Sequence, residues 1–152
     1  MATQTMKRKG DDPVTQFSIY AANKVGRLND LVSALASHDI HIMAICTIDT
    51  TDSSIIRLVV DYTELAREVL VKNNFRFNEV EVLAIEMEGE DLLKKVTCSL
   101  LQAEINIHYV YPFLVRPNNQ TGLILSVEDV DLANDVLKRN MIKVLRQSDI
   151  AR

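Results

Sequence analysis

The sequence is short of the residues that build loops and cross-links. Its two cysteines, Cys46 and Cys98, cannot form a dense disulfide framework or a four-thiolate zinc site. Four glycines and three prolines exclude collagen-like, linker-like and loop-rich architectures. A basic surplus is missing too. Seventeen Lys and Arg stand against 21 Asp and Glu, a net charge of −4, which argues against a general nucleic-acid binder. Long apolar runs are absent: the longest, Ile42 to Cys46, is far too short to span a bilayer, and no apolar stretch follows Lys7-Arg8-Lys9 as it would in a signal peptide. No His stands at triad or metal-site spacing from a Cys or carboxylate, so His38, His41 and His108 read as packed or solvated side chains. The expectation is a non-enzymatic chain with no cofactor, no metal, no membrane partner and no nucleic-acid partner.

What remains suits a packed, soluble, cytoplasmic protein. Of its 152 residues, 47% are hydrophobic, too many for a disordered chain. Residues 1–13 are polar and charged and read as a flexible N-terminal tail.

Behind the tail lies a repeat. Leu28-Asn29-Asp30-Leu31, Leu35 and Asp39-Ile40-His41-Ile42 recur 65 residues later as Leu93-Lys94-Lys95-Val96, Leu100 and Glu104-Ile105-Asn106-Ile107. Leu65-Ala66, Val69-Leu70 and Asn73 recur as Leu132-Ala133, Val136-Leu137 and Asn140 at an offset of 67. The two extra residues fall naturally in Arg116-Pro117-Asn118-Asn119-Gln120, a loop signal. The chain thus divides into a first unit, 14–80, and a second, 81–150, with no linker between them.

Alternation and helical spacing predict the same elements in each unit. In the first these are a strand over Gln16 to Ala22, a helix over Gly26 to Ser37 burying Leu28, Leu31, Val32 and Leu35, and strands over Ile40 to Ile48 and Ile55 to Val60. A helix over Glu64 to Lys72 follows, with Leu65 and Val69 on its stripe and Asp61 or Thr63 as N-cap, then a short strand from Phe75. In the second unit strands are expected over Val82 to Met87, Ile105 to Phe113, Leu123 to Val127 and Ile142 to Leu145. Its helices are expected over Leu92 to Gln102, burying Leu93, Val96 and Leu100, and over Leu132 to Arg139, capped by Asp129. The order βαββαβ predicts an α+β fold: two tandem ferredoxin-like units, antiparallel sheets side by side with the helices on one face. Ile55 to Val60 carries no aromatic residue, which single-stranded RNA recognition on this fold would need. Arg57 within that strand is expected to find a carboxylate or an exit to water.

Asn23-Lys24-Val25-Gly26-Arg27-Leu28 and the paired entries Asp39-Ile40-His41-Ile42 and Glu104-Ile105-Asn106-Ile107 resemble the ACT domain, a small regulatory module that binds amino acids. Thr47 to Asp52, Ile56 to Asp61, Val82 to Glu86 and Ile107 to Phe113 are similar to free-standing proteins made of two such domains. The resemblance implies an allosteric sensor that binds a free amino acid between units, acts as a homodimer and signals to a metabolic enzyme. It implies a ligand site at Asn23, Lys24, Val25, Gly26, Arg27 and Leu28, walled by Met43, Ala44, Tyr109 and Tyr111. From the residues alone the same turn is equally a tight turn that needs Gly for its φ and Asn as a cap, and Tyr109 and Tyr111 are equally packing residues. A protein-interaction module without a small-molecule ligand is the alternative. In the second unit Asp91 stands where Gly26 has its counterpart, amid Glu88 and Glu90. That predicts a self-capped helix start and a single ligand site per chain.

Overall fold

The computed structural model describes residues 12–22, 25–115 and 119–151. The expected tail (1–13) lies outside these up to residue 11, and so do Asn23, Lys24 and Arg116-Pro117-Asn118 of the expected inserted loop. The elements are β1 (Val14–Ala22), α1 (Arg27–Ala36), β2 (Ile42–Asp49), β3 (Ser53–Val60), α2 (Thr63–Lys72), β4 (Arg76–Met87), α3 (Glu90–Gln102), β5 (Ile107–Pro112), β6 (Thr121–Val127), α4 (Val130–Arg139), β7 (Val144–Leu145) and a short α5 (Gln147–Ile150). The order matches the sequence pattern except for the unexpected α5 at the end and in the middle. There the two expected strands are one unbroken strand, β4.

The repeat is written in the backbone as well as in the sequence. Left-handed residues follow the first helix of each unit, Asp39 (φ 56) and Glu104 (φ 57), and the second, Asn74 (φ 59) and Met141 (φ 60). Each lets the chain reverse and hands the next N–H back to the helix: Ile40 to Leu35 at 3.1 Å, and Phe75 to Leu70, Ile105 to Leu100 and Ile142 to Leu137 at 3.0 Å. β2 and β5 both shift register at matching places, Ile42/Ala44 and Ile107/Tyr109.

All strand pairings are antiparallel, in the order β2-β3-β1-β4-β6-β5 with β7 also on β4. β1 pairs with Arg76 to Val82 of β4, and β6 with Leu83 to Met87. Because side chains alternate along a strand, β4 serves three cores. Phe77 packs with the first-unit helices, and Leu83, Ile85 and Met87 with the second. Val80, Val82 and Ala84 point the other way, into a core that takes Ile150 of α5 but no residue of α1 to α4. The sheets are therefore neighbours through one strand, and the four long helices share one face, as expected, while α5 sets Ile150 into the opposite one.

That sheet also rolls onto its bare face. Its end strands meet where Ala44 bridges Phe113 and the Leu114 N–H donates to the Met43 carbonyl at 2.7 Å. The apolar inner face is thus covered within the chain, by Met43, Ala44 and Val59 of the first unit against Tyr111, Ile124 and Leu145 of the second.

The helices bury narrower stripes than their spacing suggests. Leu31 and Leu35 of α1 and Val96 and Leu100 of α3 are buried, but Leu28, Val32, Leu65 and Leu93 stay 37–44% exposed on the flanks. α2 buries Ala66, Val69 and Leu70 instead. Asp129 caps α4 by accepting the Leu132 N–H at 3.0 Å. α2 starts after Tyr62, and neither Asp61 nor Thr63 caps it. Asp61 is drawn inward to another partner.

Candidate functional site

β1 delivers the chain to α1 through Val25 and Gly26. Gly26 stands at the N-cap with φ 91 and ψ −13, a conformation that costs a residue with a Cβ about 1–2 kcal/mol. A Cβ there would meet nothing within 4 Å, so the backbone angle and not crowding calls for glycine. Among the described residues no side chain caps the helix, whose start presents first-turn N–H groups and the positive end of the dipole. Val25 is fully exposed and Leu28 half so. The Arg27 guanidinium lies 4.4 Å over the Phe75 ring and 3.8 Å from the Asp30 carboxylate. Arg27 and Leu28 border a cleft of about 160 Å³, closed by Thr47 and Asp49 of β2 and Ser54 and Ile56 of β3. One wall carries Arg27 and Leu28 of the helix start; the other carries a carboxylate and two hydroxyls. Asn23 and Lys24 of the expected site lie outside the described residues.

The other expected site residues form a separate group. Met43 (3% exposed), Ala44 (0%) and Tyr111 (4%) are buried on the inner face, with Tyr109 packed against them, and they do not line the α1 cleft. The two tyrosine rings stack, with centroids 6.3 Å apart and planes 22° from parallel. Buried Gln16 satisfies both. It accepts from the Tyr111 hydroxyl at 2.6 Å, and its amide donates to Tyr109 Oη at 2.7 Å and Ser18 Oγ at 3.0 Å. Burial, reinforced by neighbouring Tyr109, pushes the Tyr111 phenol well above its usual range. Arg57 joins the cluster with its guanidinium 3.8 Å over the Tyr109 ring, and one of its nitrogens, Nη1, is buried without a hydrogen-bond partner. Of the two outlets expected for it, a carboxylate or water, it pairs with no carboxylate among the described residues, and it stays only half-buried, with the Tyr109 ring as its neighbour.

The second loop differs. α3 follows Gly89, which is extended (φ 174), with Glu90 and Asp91 in the first turn. The expected self-capping is not made. No side chain caps α3, and the Leu92 N–H returns to the Gly89 carbonyl at 3.2 Å. The acidic pair acts on the helix start through charge alone.

One polar pair carries no sequence signal because its partners are twenty residues apart. Asp61, 1% exposed, accepts the His41 backbone N–H at 2.9 Å and holds His41 Nδ1 at 2.8 Å. His38 sits on the end of α1, its Nδ1 2.9 Å from the Ala34 carbonyl oxygen, and His108 is exposed. Cys46 is half-buried and Cys98 exposed, both as free thiols. Among the described residues no cluster of His, Cys, Asp and Glu could hold a metal ion, and no helix is long and apolar enough to cross a membrane.

Comparison with known proteins places these features in a family. No curated protein matches the sequence. A solved structure from Bacteroides thetaiotaomicron is 29% identical, covers 92% of this chain and 96% of its own, and superposes with a TM-score of 0.83. The ligand-free regulatory subunit of aspartate kinase from Thermus thermophilus shares the fold at 13% identity and a TM-score of 0.58, over 86% of this chain and 92% of its own. The corresponding subunit from Thermus flavus does so at 14% and 0.53, over 86% and 94%. The family described as the ACT domain pair matches residues 13–152, and the chain belongs to it.

Proposed function

We propose that this protein is a non-catalytic regulator that binds a free amino acid and passes the signal to a metabolic enzyme. The α1 cleft carries the reading, because its two walls suit the two ends of a zwitterion. The first-turn N–H groups and Arg27 suit a carboxylate, and Asp49 suits an ammonium. The turn Asn23 to Leu28 is the ligand loop. Met43, Ala44, Tyr109 and Tyr111 act from behind, by fixing how the units 14–80 and 81–150 pack. Binding selects one packing of these units, and the partner responds to that population. Two proteins of this fold are regulatory subunits of aspartate kinase, which fits an enzyme partner. The reading includes a cytoplasmic homodimer, with exposed Val25 and Leu28 beside the cleft available to a second copy.

A thermal-shift screen against the twenty amino acids tests it. A ligand at 100 times its Kd adds about 2.7 kcal/mol of stability, a visible rise in melting temperature. Titration calorimetry should then give about one ligand per chain. No response to any amino acid would leave the chain as a ligand-free interaction module and overturn the reading. Sedimentation showing a strict monomer would remove the dimer.

A further inference from the structure

The two units end differently. At the 67-residue offset, Gln147 to Ile150 match Val80 to Leu83, where the first unit runs straight on through β4. The second unit instead turns off the sheet after β7 into α5, a single helical turn that reaches the face opposite the four long helices.

α5 belongs to the second unit by sequence, yet it is tied to the first. The Gln147 backbone N–H donates to the Asp12 carbonyl at 3.1 Å. The Gln147 side chain accepts the Thr15 N–H at 3.3 Å and donates to the Val60 carbonyl at 3.1 Å, which joins the start of β1 to the end of β3. Three residues on, Ile150 is 2% exposed in the inner-face core. Ser148 and Asp149 between these anchors stay exposed. One turn of helix is too short to be stable by itself, so α5 depends on the amide and the aliphatic anchor that dock it. A cleft of about 440 Å³, lined by Tyr62, Leu65 and Ser148 among others, separates it from the start of α2 and gives the turn room to swing aside.

What α5 holds is close to the seam of the sheet. Val60 pairs with Ile42 of β2. The next residue, Met43, accepts the N–H groups of Leu114 at 2.7 Å and Val115 at 3.3 Å, where the end strands meet. We propose that α5 is a latch between the units. Docked, it fixes the end of β3 and with it the β2 edge against Phe113 to Val115. Released, with Ile150 out of the inner core, the β2–β3 hairpin parts from β5 and the inner face opens. The same hairpin carries Thr47, Asp49 and Ser54 of the α1 cleft. The latch is therefore the two-state element through which an occupant of that cleft changes the packing of the units; in that role it rests on the regulatory reading, while the latch itself does not.

The chain carries its own probe. Cys46 of β2 is half-buried at the rim of the inner face, and Cys98 of α3 is exposed. The full chain is treated with iodoacetamide, and the modification of each thiol is followed by mass spectrometry. Cys98 should react quickly and Cys46 slowly. Ile150→Ala and Gln147→Ala should each speed Cys46 about tenfold or more and leave Cys98 unchanged. Should Ile150→Ala fail to fold, Gln147→Ala decides alone. Leu137→Ala, in the second helical core, should lower the melting temperature and leave Cys46 slow, which separates release of the latch from global unfolding. The proposal is overturned if Cys46 reacts as fast as Cys98 in the unaltered chain, if neither α5 variant speeds it, or if Leu137→Ala speeds it as much as they do. Failure of the α1 reading would look different: the α5 variants would still speed Cys46, but no amino acid would change its rate in the unaltered chain.

Discussion

At the starts of α1 and α3 the two repeats use the same junction for opposite electrostatics. The first presents Gly26 in a left-handed turn, then Arg27, with Thr47 and Asp49 across the cleft. The second presents an extended Gly89, then Glu90 and Asp91, and its counterparts of Thr47 and Asp49 at the 65-residue offset are Pro112 and Leu114. The frame is otherwise kept, down to the left-handed residue after each helix and the register shift in β2 and β5. The contrast shows that shape and site chemistry are specified separately. Helix stripes and turn geometry carry the first, and a handful of exposed positions carries the second.

The sharpest way to break the comparison is to exchange nothing but the backbone freedom of each junction. Gly26→Val should lower amino-acid affinity about 100-fold or more in calorimetry with the circular-dichroism spectrum intact, since a β-branched residue resists a positive φ. Gly89→Val, in extended backbone with open space around it, should leave affinity unchanged. Loss of binding in both variants would mean that the junctions are not distinct.

A second contrast lies where the units touch. Gln16→Leu removes the shared partner of Tyr109 and Tyr111 and strands the buried Tyr111 hydroxyl, so urea unfolding should show a loss of about 2–3 kcal/mol. Asp61→Ala should cost about 1–3 kcal/mol by orphaning the His41 N–H. Glu128→Ala, the exposed counterpart in the second repeat, should stay within about 0.5 kcal/mol.

The smallest effect is a pH dependence confined to the second unit's tyrosine. Below the ordinary phenol value of 10.0 Tyr111 is neutral folded or unfolded, and contributes no slope. Above it the unfolded chain releases the proton while the folded chain keeps it. Stability should therefore fall as pH rises from 10, by up to about 1.4 kcal/mol per pH unit. Tyr111→Phe should flatten that fall. An unchanged slope would place the titration elsewhere.

Most of the frame was legible because it repeats. Period-two and helical spacing located every strand and the four long helices, and the offsets of 65 and 67 tied them into two units. The roll of the sheet was not legible. Val82 and Ala84 fall on one face of the strand expected over Val82 to Met87, but nothing local says that this face closes on Met43 and Val59. The turn at Gly26 was legible from its residue types. Asp49 as the opposite wall was not, because a turn cluster does not reveal which helix end it will meet. Arg57 looked in need of an acid or an exit to water, and only the folded sheet brings the Tyr109 ring to it.

β4 belongs to both repeats at once, and that has a consequence for dividing the molecule. A fragment ending after β4 would carry Leu83, Ile85 and Met87 with no second helical layer to cover them, and one beginning after it would lack the middle of its sheet. Neither fragment should persist alone. Expressed together, with the cut placed in the β4–α3 turn, they should recognise each other through the exposed β4 edge and reassemble. The chain would then be a natural split protein, whose reconstitution can be switched by whatever ligand holds the two pieces in one packing.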